Sequence, residues 1–152
     1  MSAPTRFEDI LARDGVLMYR GVGSSMLPAF RPDKDLMIVI PAARPLKKYD
    51  VALYRRPDGR YILHRVVGTR PDGYVMRGDN VERTEYGVAD SDVLGVMTAF
   101  VRDGKRIEVA SPSYRLYARI WTALYPVRKT VKILRRRFSR FVRALLRRDS
   151  AP

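Results

Sequence analysis

One serine and one histidine stand in contexts that could make them a nucleophile and its base. Ser25 lies in Gly23-Ser24-Ser25-Met26-Leu27-Pro28-Ala29-Phe30, and His64, the single histidine of 152 residues, lies in Tyr61-Ile62-Leu63-His64-Arg65-Val66-Val67-Gly68. A hydroxyl attacks a carbonyl at neutral pH only when a neighbouring base takes its proton. This chain has one imidazole to offer, and Arg77-Gly78-Asp79-Asn80 follows it. The chemistry this combination points to is peptide hydrolysis by an activated serine. Taken singly, the three residues are ordinary. A serine in a glycine-rich loop and an aspartate in a Gly-Asp-Asn turn are common turn formers. A histidine sharing a strand face with Ile62 and Val66 is a common core residue.

The composition narrows the alternatives. The chain has no cysteine, which excludes disulfides, thiol catalysis and cysteine-ligated metals. With one histidine as well, neither a metal nor any other cofactor is expected. Hydrophobic residues make up 46% of the chain, enough to build a core.

The elements that must position these residues read as short strands. Thr5 to Asp14 predicts a helix, with Thr5 as cap, Glu8 completing a capping box and Gly15 as stop. Strands are predicted at Val16–Tyr19, Leu36–Ile40, Asp50–Tyr54, Tyr61–Val67, Tyr74–Met76, Val93–Val101 and Arg106–Val109. Arg56-Pro57-Asp58-Gly59 and Arg70-Pro71-Asp72-Gly73 predict turns, because proline presets φ and glycine accepts positive φ. Six to eight strands with turns between them describe a mainly β, compact antiparallel domain over residues 1–112.

Ser111-Pro112 marks a change of period, and residues 113–152 read as a separate helical tail. Pro126 is expected to break or kink it. Beyond it Val127, Val131, Leu134, Phe138, Phe141 and Leu145 recur at helical spacing on an otherwise arginine- and lysine-rich helix from Val127 to Leu146. The net charge of +14 is concentrated there: residues 113–152 carry 12 Lys+Arg and one acid, Asp149. Three uses fit such a segment: packing on the domain or a partner, lying on an anionic membrane surface, or contacting nucleic acid phosphates. No apolar run is long enough for a transmembrane span or a signal peptide, so a location in the cytoplasm or on the cytoplasmic membrane face is expected.

The blocks Ser25-Met26-Leu27-Pro28-Ala29-Phe30, Asp33-Lys34-Asp35, Tyr49-Asp50-Val51-Ala52, His64-Arg65-Val66-Val67 and Gly78-Asp79-Asn80 resemble, in order and spacing, the signal peptidase I superfamily. That superfamily also holds the self-cleaving LexA-like repressors. The resemblance spans roughly residues 16–102. Where many members use lysine as base, this chain has His64, as in the histidine-using branch typified by the endoplasmic-reticulum signal peptidase.

The resemblance implies a small β-fold serine endopeptidase acting on a peptide or protein precursor, in signal or leader peptide processing. Ser25 would be the nucleophile, His64 the base, and Asp79 would fix the imidazole tautomer or brace the site. A second acid would be Glu82 or Glu85. The Ser25 N–H would donate to the oxyanion, with Gly23, Ser24 and Met26 in supporting positions. Two features depart from the family pattern: Gly23 stands where a serine is common, and no membrane span precedes the nucleophile. Arg65 and Arg77 read as solvated or paired strand charges near the site. The rival reading is a non-catalytic regulatory or binding module of the same fold.

Overall fold

A computed structural model describes residues 6–148. Helix α1 (Phe7–Asp14) is followed by strands β1 (Leu17–Arg20), β2 (Leu36–Pro41), β3 (Val51–Arg55), β4 (Tyr61–Arg70), β5 (Gly73–Arg77) and β6 (Glu85–Val88). A 3-10 turn at Asp90–Asp92 leads to β7 (Val93–Arg102) and β8 (Lys105–Glu108), then helices α2 (Pro112–Ala123) and α3 (Tyr125–Arg148). The strands form one sheet in the order β1-β2-β7-β3-β4-β5-β6, with β8 also pairing with β7. Every pairing is antiparallel. The fold is therefore mainly β, with helices at its ends.

Strand β3 shows why the central strands read as continuous apolar runs. Successive side chains of a strand point to opposite faces. Val51 and Leu53 join one core cluster, with Met26, Phe30, Met37, Phe100 and Tyr114. Ala52 and Tyr54 join the other, with Val66, Tyr74, Met76 and Val93. Because both faces are covered, an alternating polar set would be buried without partners.

Three boundaries differ from those read in the sequence. Helix α1 is closed at its start by the Asp9 carboxylate, which accepts from the Arg6 N–H at 3.3 Å. Thr5 lies outside the described residues. Glu8, cast as the capping-box partner, instead accepts from the Tyr61 hydroxyl at 2.6 Å. Strand β6 has no counterpart in the sequence reading: Glu85-Tyr86-Gly87-Val88 has a charge and a glycine among four residues, and its pairing with β5 makes it a strand.

The third difference is the domain boundary. The chain divides into a unit ending at Arg119 and a second beginning at Ile120. The boundary read at residue 112 lies before this division, because the first half of α2 packs with the β body: Tyr114 and Ala118 are buried in its core. Pro126 sits in the first turn of α3, where its missing N–H has no helical acceptor to lose. No helix among the described residues is long and apolar enough to cross a membrane.

Candidate active site

The loop that carries Ser25 is anchored on both sides of it. Directly after it, Met26, Ala29 and Phe30 are buried in the core, and the Phe30 N–H donates to the Met26 carbonyl at 3.1 Å. Met26, given a supporting place by the sequence reading, is thus a core anchor whose side chain also borders the cleft beside Ser25. At the far end of the loop, Asp35 is fully buried and accepts from the Arg31 N–H at 2.8 Å and from the guanidinium groups of Arg31 and Arg102. Arg102 also donates to the Ala29 carbonyl at 2.8 Å. Burial favours the neutral acid, but the two guanidinium groups and the Arg31 N–H hold the Asp35 carboxyl below its ordinary pKa. The turn before the serine needs Gly23, whose φ of 93° is in the region where a Cβ is strained.

The Gly78-Asp79-Asn80 turn is stitched to the same loop. The Asn80 N–H donates to the Ser25 carbonyl at 2.8 Å, and the Asn80 side-chain amide donates to the Ser24 carbonyl at 3.2 Å. Ser24 thus enters the site through its carbonyl. Gly78 is required by close approach: a Cβ there would lie 2.6 Å from the Ser25 carbonyl oxygen and 2.9 Å from His64 Nε2. One small volume beside Gly78 is therefore bounded by both the Ser25 carbonyl and the imidazole nitrogen. The Ser25 hydroxyl and the imidazole are not hydrogen-bonded in this structure.

His64 is 4% exposed and projects from β4 toward the cluster containing Tyr54. Its Nδ1 lies 3.4 Å from Glu85 Oε1 and 3.3 Å from the Tyr54 hydroxyl. The register explains the second contact, since Ala52 pairs with His64 and Tyr54 is two residues further along the same face of β3. Glu85 is in turn gripped by the Arg56 guanidinium. A carboxylate beside Nδ1 favours the tautomer with its proton there, which leaves Nε2 as the acceptor. Burial pushes the imidazole pKa below its ordinary value, opposed by Glu85. Burial would raise Glu85, yet Arg56 and Tyr54 hold it below the ordinary carboxylate value. The result is a neutral base with an ionised partner at neutral pH.

Asp79 braces the site through the other face of β4. Both its oxygens accept from Arg65, at 2.8 and 2.7 Å, and Oδ2 also accepts from the Tyr117 hydroxyl at 3.0 Å. Arg65 is fully buried and donates further to the Tyr114 hydroxyl and the Tyr49 carbonyl, each at 3.1 Å. Of the sequence alternatives for Asp79, the geometry favours bracing, and of the two candidate second acids Glu85 is the one beside the imidazole. Arg65, read as a solvated or paired strand charge, is paired and inaccessible to water. Its pKa is raised: burial opposes its charge, but Asp79 and Tyr114 more than compensate.

Tyr54, Arg56, Tyr114 and Tyr117 were not legible as site residues. Each contributes through a register or a helix docking that no local motif encodes.

Beside Ser25 opens a largely apolar cleft of about 390 Å³. Tyr19, Gly21 to Gly23, Tyr61 to Leu63, Phe30, Met37 and Leu53 line it. Arg20, Arg31 and Arg60 also border it. Among the described residues no cluster of His, Asp and Glu could hold a metal ion.

Comparison with known proteins returns no matching family model, no matching curated protein and no matching solved structure.

Proposed function

We propose that this protein is a serine endopeptidase of the signal-peptidase type that cuts a peptide or protein precursor, such as one bearing a signal or leader segment. The observation that carries this reading is the placement of His64 Nε2 and the Ser25 backbone around Gly78, with Nδ1 turned to an ionised Glu85. Ser25 Oγ attacks the scissile carbonyl carbon while His64 Nε2 accepts the hydroxyl proton. The imidazolium formed is stabilised by Glu85. It returns the proton to the leaving amine as the C–N bond breaks, giving an acyl-enzyme and a free amino terminus. Water, deprotonated by the same nitrogen, then attacks the ester, and Ser25 recovers its proton. The Ser25 N–H supplies one oxyanion donor, a contribution worth about 2.7–4 kcal/mol in other hydrolases.

The cleft supports a peptide as substrate. Among the described residues β1 pairs with β2 alone, so it is an edge strand to which an extended chain could add. Its last residues, Tyr19 and Arg20, border the cleft that leads to Ser25. An apolar lining suits apolar side chains flanking the cut.

The test is incubation of the full chain with a library of unstructured peptides, read by mass spectrometry. Cleavage at a restricted set of bonds is expected, with Ser25→Ala lowering kcat by a factor on the order of 10⁶ and His64→Ala by a comparable factor. Cleavage that persists in Ser25→Ala, or no cleavage across the library, would refute the reading.

A further inference from the structure

Helix α3 carries a surface that peptide hydrolysis does not use. We infer that α3 lies on anionic bilayer surfaces, its apolar seam in the interface and its arginines against lipid phosphates. The inference stands independently of the peptidase reading.

Two observations carry it. The first is the seam: Val127, Val131, Leu134 and Phe138 are 58, 48, 58 and 68% exposed. At about 100° per residue their spacing of four, three and four places them on one stripe. The second is charge. Residues 125–148 contain ten Lys+Arg and no acid, in the run Tyr-Pro-Val-Arg-Lys-Thr-Val-Lys-Ile-Leu-Arg-Arg-Arg-Phe-Ser-Arg-Phe-Val-Arg-Ala-Leu-Leu-Arg-Arg. By the same angular step Arg135 flanks the stripe on one side and Arg137 on the other.

These features select the occupant. Nucleic acid would be satisfied by the cations and has no use for an exposed Leu134 and Phe138. A second copy of the seam would cover those side chains, but it would also bring two strongly cationic helices together. A bilayer with anionic headgroups answers both needs: acyl chains take the stripe, phosphates take the flanking guanidiniums, and long arginine side chains reach outward from the interface. The α2–α3 corner is pinned by Arg128, which lies over the Trp121 ring at 3.9 Å from its centroid and donates to the Trp121 carbonyl at 2.8 Å.

The test is flotation of the full-length protein with phosphatidylglycerol–phosphatidylcholine vesicles and with phosphatidylcholine vesicles alone. Binding to the anionic vesicles only is expected, weakening as salt is raised. The double variant Leu134→Ser, Phe138→Ser should weaken partitioning more than tenfold. Arg135→Ala with Arg137→Ala should weaken it roughly twenty-five-fold, at about fivefold per cation. A thermal melt of the β body checks that each variant remains folded. A third variant, Arg136→Ala with Arg140→Ala, alters the side opposite the seam and should weaken vesicle binding less than the flanking pair.

Three results would overturn the inference. One is equal binding to neutral and anionic vesicles, or none to either. Another is retention of vesicle binding by the seam variant. The last is binding to a DNA duplex, or self-association in sedimentation, that depends on α3 while vesicles are ignored.

Discussion

His64 and Arg65 are neighbours on β4, each faces a carboxylate, and the two pairs do different work. Alternation along the strand sends them to opposite faces of the sheet. On one face His64 meets Glu85, half-buried and tied to Arg56; on the other Arg65 meets Asp79 with no exposure to solvent. Imidazole loses its charge near neutrality, so its environment decides its protonation. Guanidinium does not titrate in any accessible range. Under the proposed function the first pair would handle a proton, while the second is a fixed clamp. The clamp reaches the chemistry by holding the Gly78-Asp79-Asn80 turn, whose Asn80 grips the carbonyls of Ser24 and Ser25.

That contrast can be broken in three places. The largest effect is expected from Arg65→Met, which leaves Asp79 buried without its counter-charge. Loss of one partner of a buried pair costs about 3–5 kcal/mol, measurable by urea unfolding. The double variant Arg65→Met, Asp79→Leu should recover much of that loss, since two apolar groups carry no unpaired charge. Any hydrolysis left in Arg65→Met should keep its acidic limb in place or shift it upward, because an uncompensated Asp79 favours the imidazolium.

Next comes Glu85→Gln. Loss of the carboxylate should lower kcat about a hundredfold by removing support for the imidazolium. The sign of the pH effect follows from the same contact. Glu85 raises the imidazole pKa against burial, and Arg56 lowers it. Without Glu85 the acidic limb of kcat/KM, already below the ordinary imidazole value of about 6.5, should move to still lower pH. An unmoved limb would assign Glu85 a purely structural part. Opposite shifts in Arg65→Met and Glu85→Gln would sharpen the division of labour.

The smallest effect belongs to Tyr117→Phe. It removes one hydrogen bond to Asp79 and should cost about 1 kcal/mol in unfolding, without changing the pH profile. Burial, then the Asp79 charge, raise the Tyr117 pKa, so its hydroxyl stays a donor throughout the working range. A pH-dependent rate change in this variant would show that the clamp takes part in proton handling after all.

Ser25, His64 and Gly78-Asp79-Asn80 stood out as candidates because each stands inside a local phrase, and the sequence placed most of the strands because apolar runs between proline–glycine turns encode them locally. The local record stops at Glu85. Its strand has no apolar alternation, and only pairing with β5 aims it at His64. Tyr114 and Tyr117 read as the start of a separate tail, because helical period begins with them. Whether an amphipathic helix docks depends on the surface that receives it, and here Arg65 and the core of the β body receive both tyrosines.

What the chain determined by itself, then, was which residues could react, where the turns fall, and that residues 125–148 are cationic with an apolar stripe. Residue type, period and charge are properties of neighbours in sequence. Tertiary structure alone decided which carboxylate serves the imidazole, which serves the arginine, and where the β body ends. Those outcomes depend on strand register and on helix packing, which bring together residues that share no local pattern.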